Sequence, residues 1–307
     1  MKLLKNTFNG YRYLKWSKTE TLCYLLRGLS RESKICPTFF EKLLLKARYH
    51  SLKRFFEPKH NYFNFNGALI PNVSDSKEKL NALSAVFEDV LLISCYYNEN
   101  YSKEFVEFLD NIMTEGPYGY VDGDFDVRVK KGDVVIDAGA WIGDFSAYVA
   151  SKEAICYAFE PTDETYRILC KTRDINTKGK IIPIKYGLSD TNNTLNIIKD
   201  DNSSWGNKLI QETTENNKNS DLVEVVTLDF FVESEKLEKV DFIKSDIEGF
   251  ERNLLIGAKK TLKDFAPKLS ICTYHLPDDP QVLEAIIKEA NPNYKVIHLK
   301  HKLFASV

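Results

Sequence analysis

Residues 134–161 read VVIDAGAWIGDFSAYVASKEAICYAFEP, and this stretch constrains the fold more than any other. The apolar run 134–136 ends in Asp137. A glycine loop follows, from Gly139 to Gly143. A helical pattern then leads into a second apolar run, 154–159, closed by Glu160. Apolar runs of this length, separated by a glycine turn and one helix, predict two parallel strands joined by a crossover. Such a unit needs a sheet with both faces covered. The same pattern suits a nucleoside: glycines let the backbone turn tightly, a helix N-terminus offers free N–H groups, and a terminal acid receives ribose hydroxyls.

The loop spacing separates candidate ligands. A dinucleotide site needs G-x-G-x-x-G, its middle glycine leaving room for a pyrophosphate. Trp141 stands at that middle position, and its side chain fills the space. The pattern is D-x-G-x-x-x-G, with Asp137 two residues before Gly139. An acid there suits a ligand with an ammonium group. S-adenosylmethionine has an amine, a carboxylate, a ribose and a sulfonium, and no phosphate, so it is the expected cofactor. A nicotinamide-dependent oxidoreductase is the alternative enzyme class, and a non-catalytic binding or scaffold protein on the same fold is a third reading.

From Gly132 onward strands and helices alternate. Strands are expected at 134–137, 154–159, 181–186, 241–245 and 269–273, with helices at 145–150, 163–175, 251–262 and 279–290. Extra strands are expected at 194–199 and 222–227, flanking a polar loop at 211–220. Two late runs, 294–299 and 302–307, predict a terminal antiparallel pair. The alternating segment 124–131, DFDVRVKK, reads as an edge strand.

The first 120 residues lack this rhythm. Helices are expected at 39–55, 77–90 and 102–113, and NYFNFNGALIP at 61–71 as a hairpin or loop. The Gly/Pro-rich aromatic junction 116–120 marks a boundary. The division is a helical accessory region, 1–120, and a catalytic domain, 121–307.

Charge is near balance, at −2, but unevenly spread. Residues 1–60 hold 14 Lys/Arg against 4 Asp/Glu, leaving 28 basic and 40 acidic residues beyond. A basic arm suits a peripheral membrane or polyanion contact; the plainer reading, put ahead of it, is a solvated helical face or an arm docked on the acidic body of its own or a partner chain. Nucleic acid is not an expected partner. The six cysteines show no C-x-x-C spacing, which fits a reducing cytoplasm. No metal-ligand spacing is present, and the expectation for metal is none. No apolar run reaches the ~20 residues of a membrane span.

In an open α/β sheet, ligands bind beyond the carboxyl ends of the strands. The residues at those ends are Asp137, Gly139, Gly143, Glu160, Ser189, Asp190, Asp246, Glu248 and His275. The segment IKSDIEGFE, 243–251, places three acids within six residues of one strand end. Asp246 and Glu248 are candidates for ligand contact, with helix capping as the competing role, and Glu251 is read as structural. His275 follows the fifth strand. An imidazole there can take a proton from a substrate hydroxyl, and a satisfied structural histidine is the alternative.

Assembled, these motifs resemble the FkbM family of S-adenosylmethionine-dependent methyltransferases. The resemblance rests on VVIDAGAWIG, AFEP, GLSD, VVTLDFF, VDFIKSDIEGFE, LIGAKKTL and PKLSICTYH, in that order from Gly132 onward; the family more usually has Asn where Trp141 stands. The resemblance implies an α/β fold, a class I methyltransferase Rossmann-like sheet of seven strands with the last antiparallel. It implies O-methylation of a small-molecule or glycan hydroxyl. It places Asp137, Gly139 and Gly143 near the methionine part of the cofactor, Glu160 on the ribose, Ser189 and Asp190 by the adenine, and Asp246 at the methyl-transfer centre. His275 or Asp246 is the expected base. Tyr118, Tyr120 and Trp205 are candidates for a sugar-facing wall, with core or surface packing an equal alternative.

Overall fold

The computed structural model describes residues 53–72, 102–112, 117–198, 208–210 and 220–307, with positions 18, 21, 22 and 25. The expected helix at 77–90, nearly all of that at 39–55, the loop at 211–219, Trp205 and most of the basic arm lie outside the described residues.

The strands are β1 (Phe56–Glu57), β2 (Tyr62–Phe65), β3 (Ala68–Pro71), β4 (Tyr120–Asp122), β5 (Phe125–Val127), β6 (Val134–Ala138), β7 (Ile155–Phe159), β8 (Lys180–Ile184), β9 (Gly187–Leu188), β10 (Asn193–Ile198), β11 (Lys208–Ile210), β12 (Ser220–Val226), β13 (Phe242–Ser245), β14 (Lys268–Cys272), β15 (Lys295–His298) and β16 (Lys302–Ser306). The helices are α1 (Lys103–Ile112), α2 (Asp144–Ser151), α3 (Asp163–Ile175), α4 (Leu228–Ser234), α5 (Glu251–Ile256), α6 (Lys259–Asp264) and α7 (Asp279–Ala290).

Seven strands form the central sheet, in the order β15-β16-β14-β13-β6-β7-β8. From β14 to β8 every pairing is parallel. The final strand, β16, runs antiparallel between β14 and β15. Alternate side chains of each inner strand enter opposite cores. Val135 and Phe242 pack on one side with Phe145 and Val149 of α2, while Ile136 and Ile243 pack on the other with Leu254, Leu262 and Leu283 of α5–α7. Burial on both faces explains why these strands read as apolar runs. The chain order reverses between β6 and β13, so the carboxyl ends of these neighbours open a crevice.

Two expectations change. The segment at 124–131 does not join the sheet edge; β4 and β5 pair as a separate hairpin turning at Gly123, whose φ is +62°. The helix expected at 251–262 is two helices. A Cβ on Gly257 would lie 2.1 Å from the Ser189 carbonyl oxygen, so the chain kinks past that carbonyl. Asp229 then accepts the backbone N–H groups of Lys260 and Thr261 and the Thr261 hydroxyl, starting the second helix. The extra strands are present and build a four-stranded sheet, β11-β10-β12-β9, around Ile197, Val223 and Val225.

The hairpin at 62–71 turns through Asn66 and Gly67, with φ +52° and +99°. Left-handed Asn-Gly is the turn that matches strand twist. Its inner residues Phe65, Ala68 and Ile70 are buried in the core that α2 contributes to. Asn176, at the end of α3, clasps Leu69 from both sides: its Oδ1 accepts the Leu69 N–H at 2.9 Å and its Nδ2 donates to the Leu69 carbonyl at 2.7 Å. Asn176→Ala leaves both backbone groups unpaired and should cost about 1–3 kcal/mol. Chemical denaturation measures it, and a loss within error of zero would mean that the clasp holds nothing.

Candidate active site

The loop after β6 is shaped by contacts within the protein. Gly139 has φ +75°, and a Cβ there would lie 2.0 Å from the Asp246 carbonyl oxygen. Gly143 has φ +85°, and a Cβ would come within 2.7 Å of Leu169 on α3. The glycines therefore let the loop seat against the β13 turn and α3. Trp141 between them holds a left-handed φ of +48°. Its backbone N–H donates to Glu160 at 3.0 Å.

Glu160, buried at the end of β7, also accepts the Thr162 N–H and the Thr165 hydroxyl. Burial raises its carboxyl pKa, opposed by the bonds from Thr165, Thr162 and Trp141. An acid that receives donors from both the glycine loop and the start of α3 fixes the two strand ends relative to each other.

Asp137 is fully buried. One oxygen accepts the Ser146 hydroxyl at 2.6 Å. The other lies 3.1 Å from Lys244 Nζ, an ion pair without hydrogen-bond geometry. Lys244 stands on β13 with 4% of its side chain exposed. It donates to the carbonyls of Gly139 at 2.7 Å and Ala138 at 3.3 Å. Burial would lower the Lys244 pKa, but Asp137, Asp246 and Asp144 outweigh it and raise it. This ammonium bolts the end of β6 to β13. Asp144, in the first turn of α2, has its carboxyl pushed up to about 6, chiefly by burial.

Across the crevice, Asp246 accepts the Tyr118 hydroxyl at 2.6 Å and the Tyr274 hydroxyl at 3.0 Å. Burial would raise its pKa, but Lys244, His275, the Tyr118 hydroxyl and Lys302 together hold it below the usual carboxylate value. The Tyr118 ring carries two ammonium groups, Lys244 at 5.1 Å and Lys302 at 4.8 Å from its centre. Tyr120, expected in the same wall, stacks instead on Phe304 in the core.

His275 is enclosed. Its Nδ1 lies 3.1 Å from Glu251, and its Nε2 lies 3.6 Å from Glu248 and 3.7 Å from Asp246. Burial would lower its pKa, but Glu248, Glu251 and Asp246 overcome this and push it up to about 10. The ring by itself is therefore a poor base at neutral pH. Glu251 also accepts the N–H groups of Ile247 and Gly249, the structural role expected for it. Glu248 reaches the cluster from a left-handed φ of +56°.

The structure thus brings Asp137, Gly139, Gly143 and Glu160 together around one loop, and Asp246, Glu248 and His275 around the neighbouring turn. Ser189 and Asp190 hydrogen-bond each other, and Ser189 is buried against the α5–α6 kink. Sequence reading missed Lys244, Asp144 and Tyr274. The available signals were a lysine inside an apolar strand, an acid opening the helix after the glycine loop, and a tyrosine beside the candidate histidine. It also missed a feature no spacing shows: Asp246, Glu251 and His275 each bring a ligand-type atom within 4.8 Å of the others.

This strand order, with its antiparallel last strand, glycine loop and second-strand acid, defines a Rossmann-like class I methyltransferase. The family model for the methyltransferase FkbM domain matches residues 137–295, and the chain belongs to that family. It is similar to the hexuronic acid methyltransferase AglP of Haloferax volcanii, 26% identical over 172 residues that cover 56% of this chain and 68% of the relative. Among solved structures it is similar to the FkbM methyltransferase of Methylobacillus flagellatus KT, with TM-score 0.46 and 19% identity; the match covers 84% of this chain but only 58% of that one. It is also similar to the fibrillarin of Aeropyrum pernix bound to S-adenosyl-L-methionine, with TM-score 0.37 and 14% identity, covering 58% of this chain and 68% of that one. Among the described residues, no helix is long and apolar enough to cross a membrane.

Proposed function

We propose that this protein uses S-adenosylmethionine to methylate a hydroxyl oxygen of a sugar, polysaccharide or other small acceptor. The observation that carries this reading is the charge at the strand ends. Asp144 and Glu160 stand at the loop and Asp246 and Glu248 opposite, while buried Lys244 is already committed to Asp137 and two carbonyls. Such an edge complements a sulfonium and an ammonium and repels a pyrophosphate. The turn amide at Trp141, where a dinucleotide would need a donor, is spent on Glu160. That argues against the nicotinamide alternative.

When bound, the cofactor supplies an electrophilic methyl group on a good leaving group. Glu160 would hold the ribose, and the Gly139–Gly143 loop the methionine part, with Asp137 acting on it through Lys244. Ser189 and Asp190 are kept as the adenine side. Asp246, with two phenol hydroxyls on it, presents a fixed negative charge to the reacting centre. The protein's task is to align an acceptor oxygen with the methyl group and exclude water. Residues 1–120 are the accessory region of this proposal, yet Tyr118 from that region reaches Asp246. The relative named for hexuronic acid supports a sugar acceptor.

The test is calorimetry with S-adenosylmethionine and with NAD, followed by mass spectrometry of hexuronic acids and neutral hexoses incubated with enzyme and cofactor. Cofactor binding and the gain of one methyl group on a sugar are expected. Binding of NAD alone would overturn the reading. Glu160→Gln should weaken cofactor binding by roughly 10- to 100-fold, the value of a charge-assisted hydrogen bond. Unchanged affinity would remove Glu160 from the ribose site.

A further inference from the structure

We propose that Asp246, Glu251 and His275 form a divalent-cation site at the adjoining ends of β13 and β14. Each offers one ligand atom, all within 4.8 Å of one another. Donors around a single ion at metal–oxygen and metal–nitrogen distances near 2.1 Å lie at most about 4.2 Å apart, so side-chain shifts of roughly half an ångström close this set on an ion.

A second observation points the same way. The His275 side chain is only 4% exposed, and among the described residues neither ring nitrogen finds a hydrogen-bond partner. Buried polar atoms are nearly always satisfied. Here the carboxylate oxygens lie at 3.1, 3.6 and 3.7 Å, too far or too poorly angled to satisfy the ring. Three carboxylates around one imidazole leave an excess of negative charge, whatever the ring carries. A dication bound between the imidazole and the carboxylates satisfies both.

The supports expected of a metal site are in place. Ligating groups are normally oriented by a further layer of hydrogen bonds. Tyr118 and Tyr274 orient Asp246, and the N–H groups of Ile247 and Gly249 orient Glu251. Glu248, at 3.6 Å from the ring, adds charge beside the site. Two carboxylates and one imidazole suit manganese, magnesium or zinc and leave positions open. An acceptor hydroxyl taking an open position would lose its proton more readily. That last consequence rests on the methyltransferase reading; the cation site itself does not.

The experiment is a titration of the full-length protein, stripped with chelator, with manganese chloride, read by loss of the free-ion electron paramagnetic resonance signal. Saturable binding of one ion per chain is expected. Pulsed spectra of the wild type should show nitrogen coupling from a directly bonded imidazole, a readout that needs no variant. His275→Ala and Asp246→Asn should each weaken binding by at least roughly 100-fold, since even supporting partners cost about 10–100-fold. Glu284→Gln, in the exposed pair with His298, should bind like the wild type. Absence of saturable binding, of nitrogen coupling, or of any effect of His275→Ala in a folded variant would overturn the site. Calorimetry with S-adenosylmethionine on the same samples separates the two readings. Cofactor binding without manganese binding sinks the cation site alone; manganese binding without cofactor binding supports the site and sinks the methyltransferase reading.

Discussion

Lys244→Met should remove about 3–5 kcal/mol of unfolding free energy, the loss expected when one partner of a buried ion pair is deleted. Methionine keeps the length of the side chain, so the cost isolates the charge and its donors. Among the described residues, Asp137, fully buried, would keep only the Ser146 hydroxyl. The carbonyls of Gly139 and Ala138 would lose the ammonium that now donates to them. Urea denaturation followed by circular dichroism measures the loss. The companion Lys244→Met/Asp137→Asn variant should recover part of it, because removing both charges leaves no uncompensated ion. A loss below about 1 kcal/mol in the single variant, or no recovery in the double, would show that the pair is not what joins β6 to β13.

Lys244 also shows why the site was only partly legible in the sequence. The strand–helix rhythm was readable because each inner strand is buried on both faces and each helix is bounded by acids, glycine or proline. Glycine spacing and the strand-end acids followed from the same grammar. In the sequence, however, Lys244 is one polar letter inside VDFIKSD. Its partner Asp137 looks like a ligand-facing acid until the fold places β13 beside β6 and turns both charges inward. Tyr118 and Asp246 are 128 residues apart, a contact that no local pattern encodes. The same holds for the glycines. Sequence reading gave their freedom to the ligand, whereas Gly139 and Gly143 make room for Asp246 and Leu169. The two misread elements have similar causes. The alternation at 124–131 is equally good for a separate hairpin, and the kink at Gly257 depends on a carbonyl from Ser189.

Charge placement links these details to chemistry. Lys244 draws Asp137 and the Gly139 carbonyl together, and Gly139 in turn sits on the Asp246 backbone. The glycine loop and the Asp246 turn are therefore one mechanical unit, and a change in either should be felt in both. Glu160 ties the opposite end of the loop through Trp141. A loop held at both ends is preorganised for its ligand, which lowers the ordering cost of binding.

Gly139→Ala tests that unit directly and should nearly abolish methyl transfer. The added Cβ would fall 2.0 Å from the Asp246 carbonyl oxygen, a backbone atom that cannot swing aside. The residue would also hold φ +75°, a left-handed conformation that costs a side chain roughly 1–2 kcal/mol. Gly249→Ala is the control. It carries the strain of φ +103°, but its Cβ would meet only the His275 Cβ at 3.9 Å, an ordinary contact. The control should therefore lose stability, by about 1–2 kcal/mol, and keep its cofactor affinity. In Gly139→Ala the loop or the Asp246 turn has to move by an ångström or more. A misplacement of that size between aligned reactants costs about 100-fold in rate. Cofactor affinity by calorimetry and methyl transfer per folded molecule measure the effect. If both variants behave alike, strain alone explains them, and the seating of the loop on Asp246 does not govern the site.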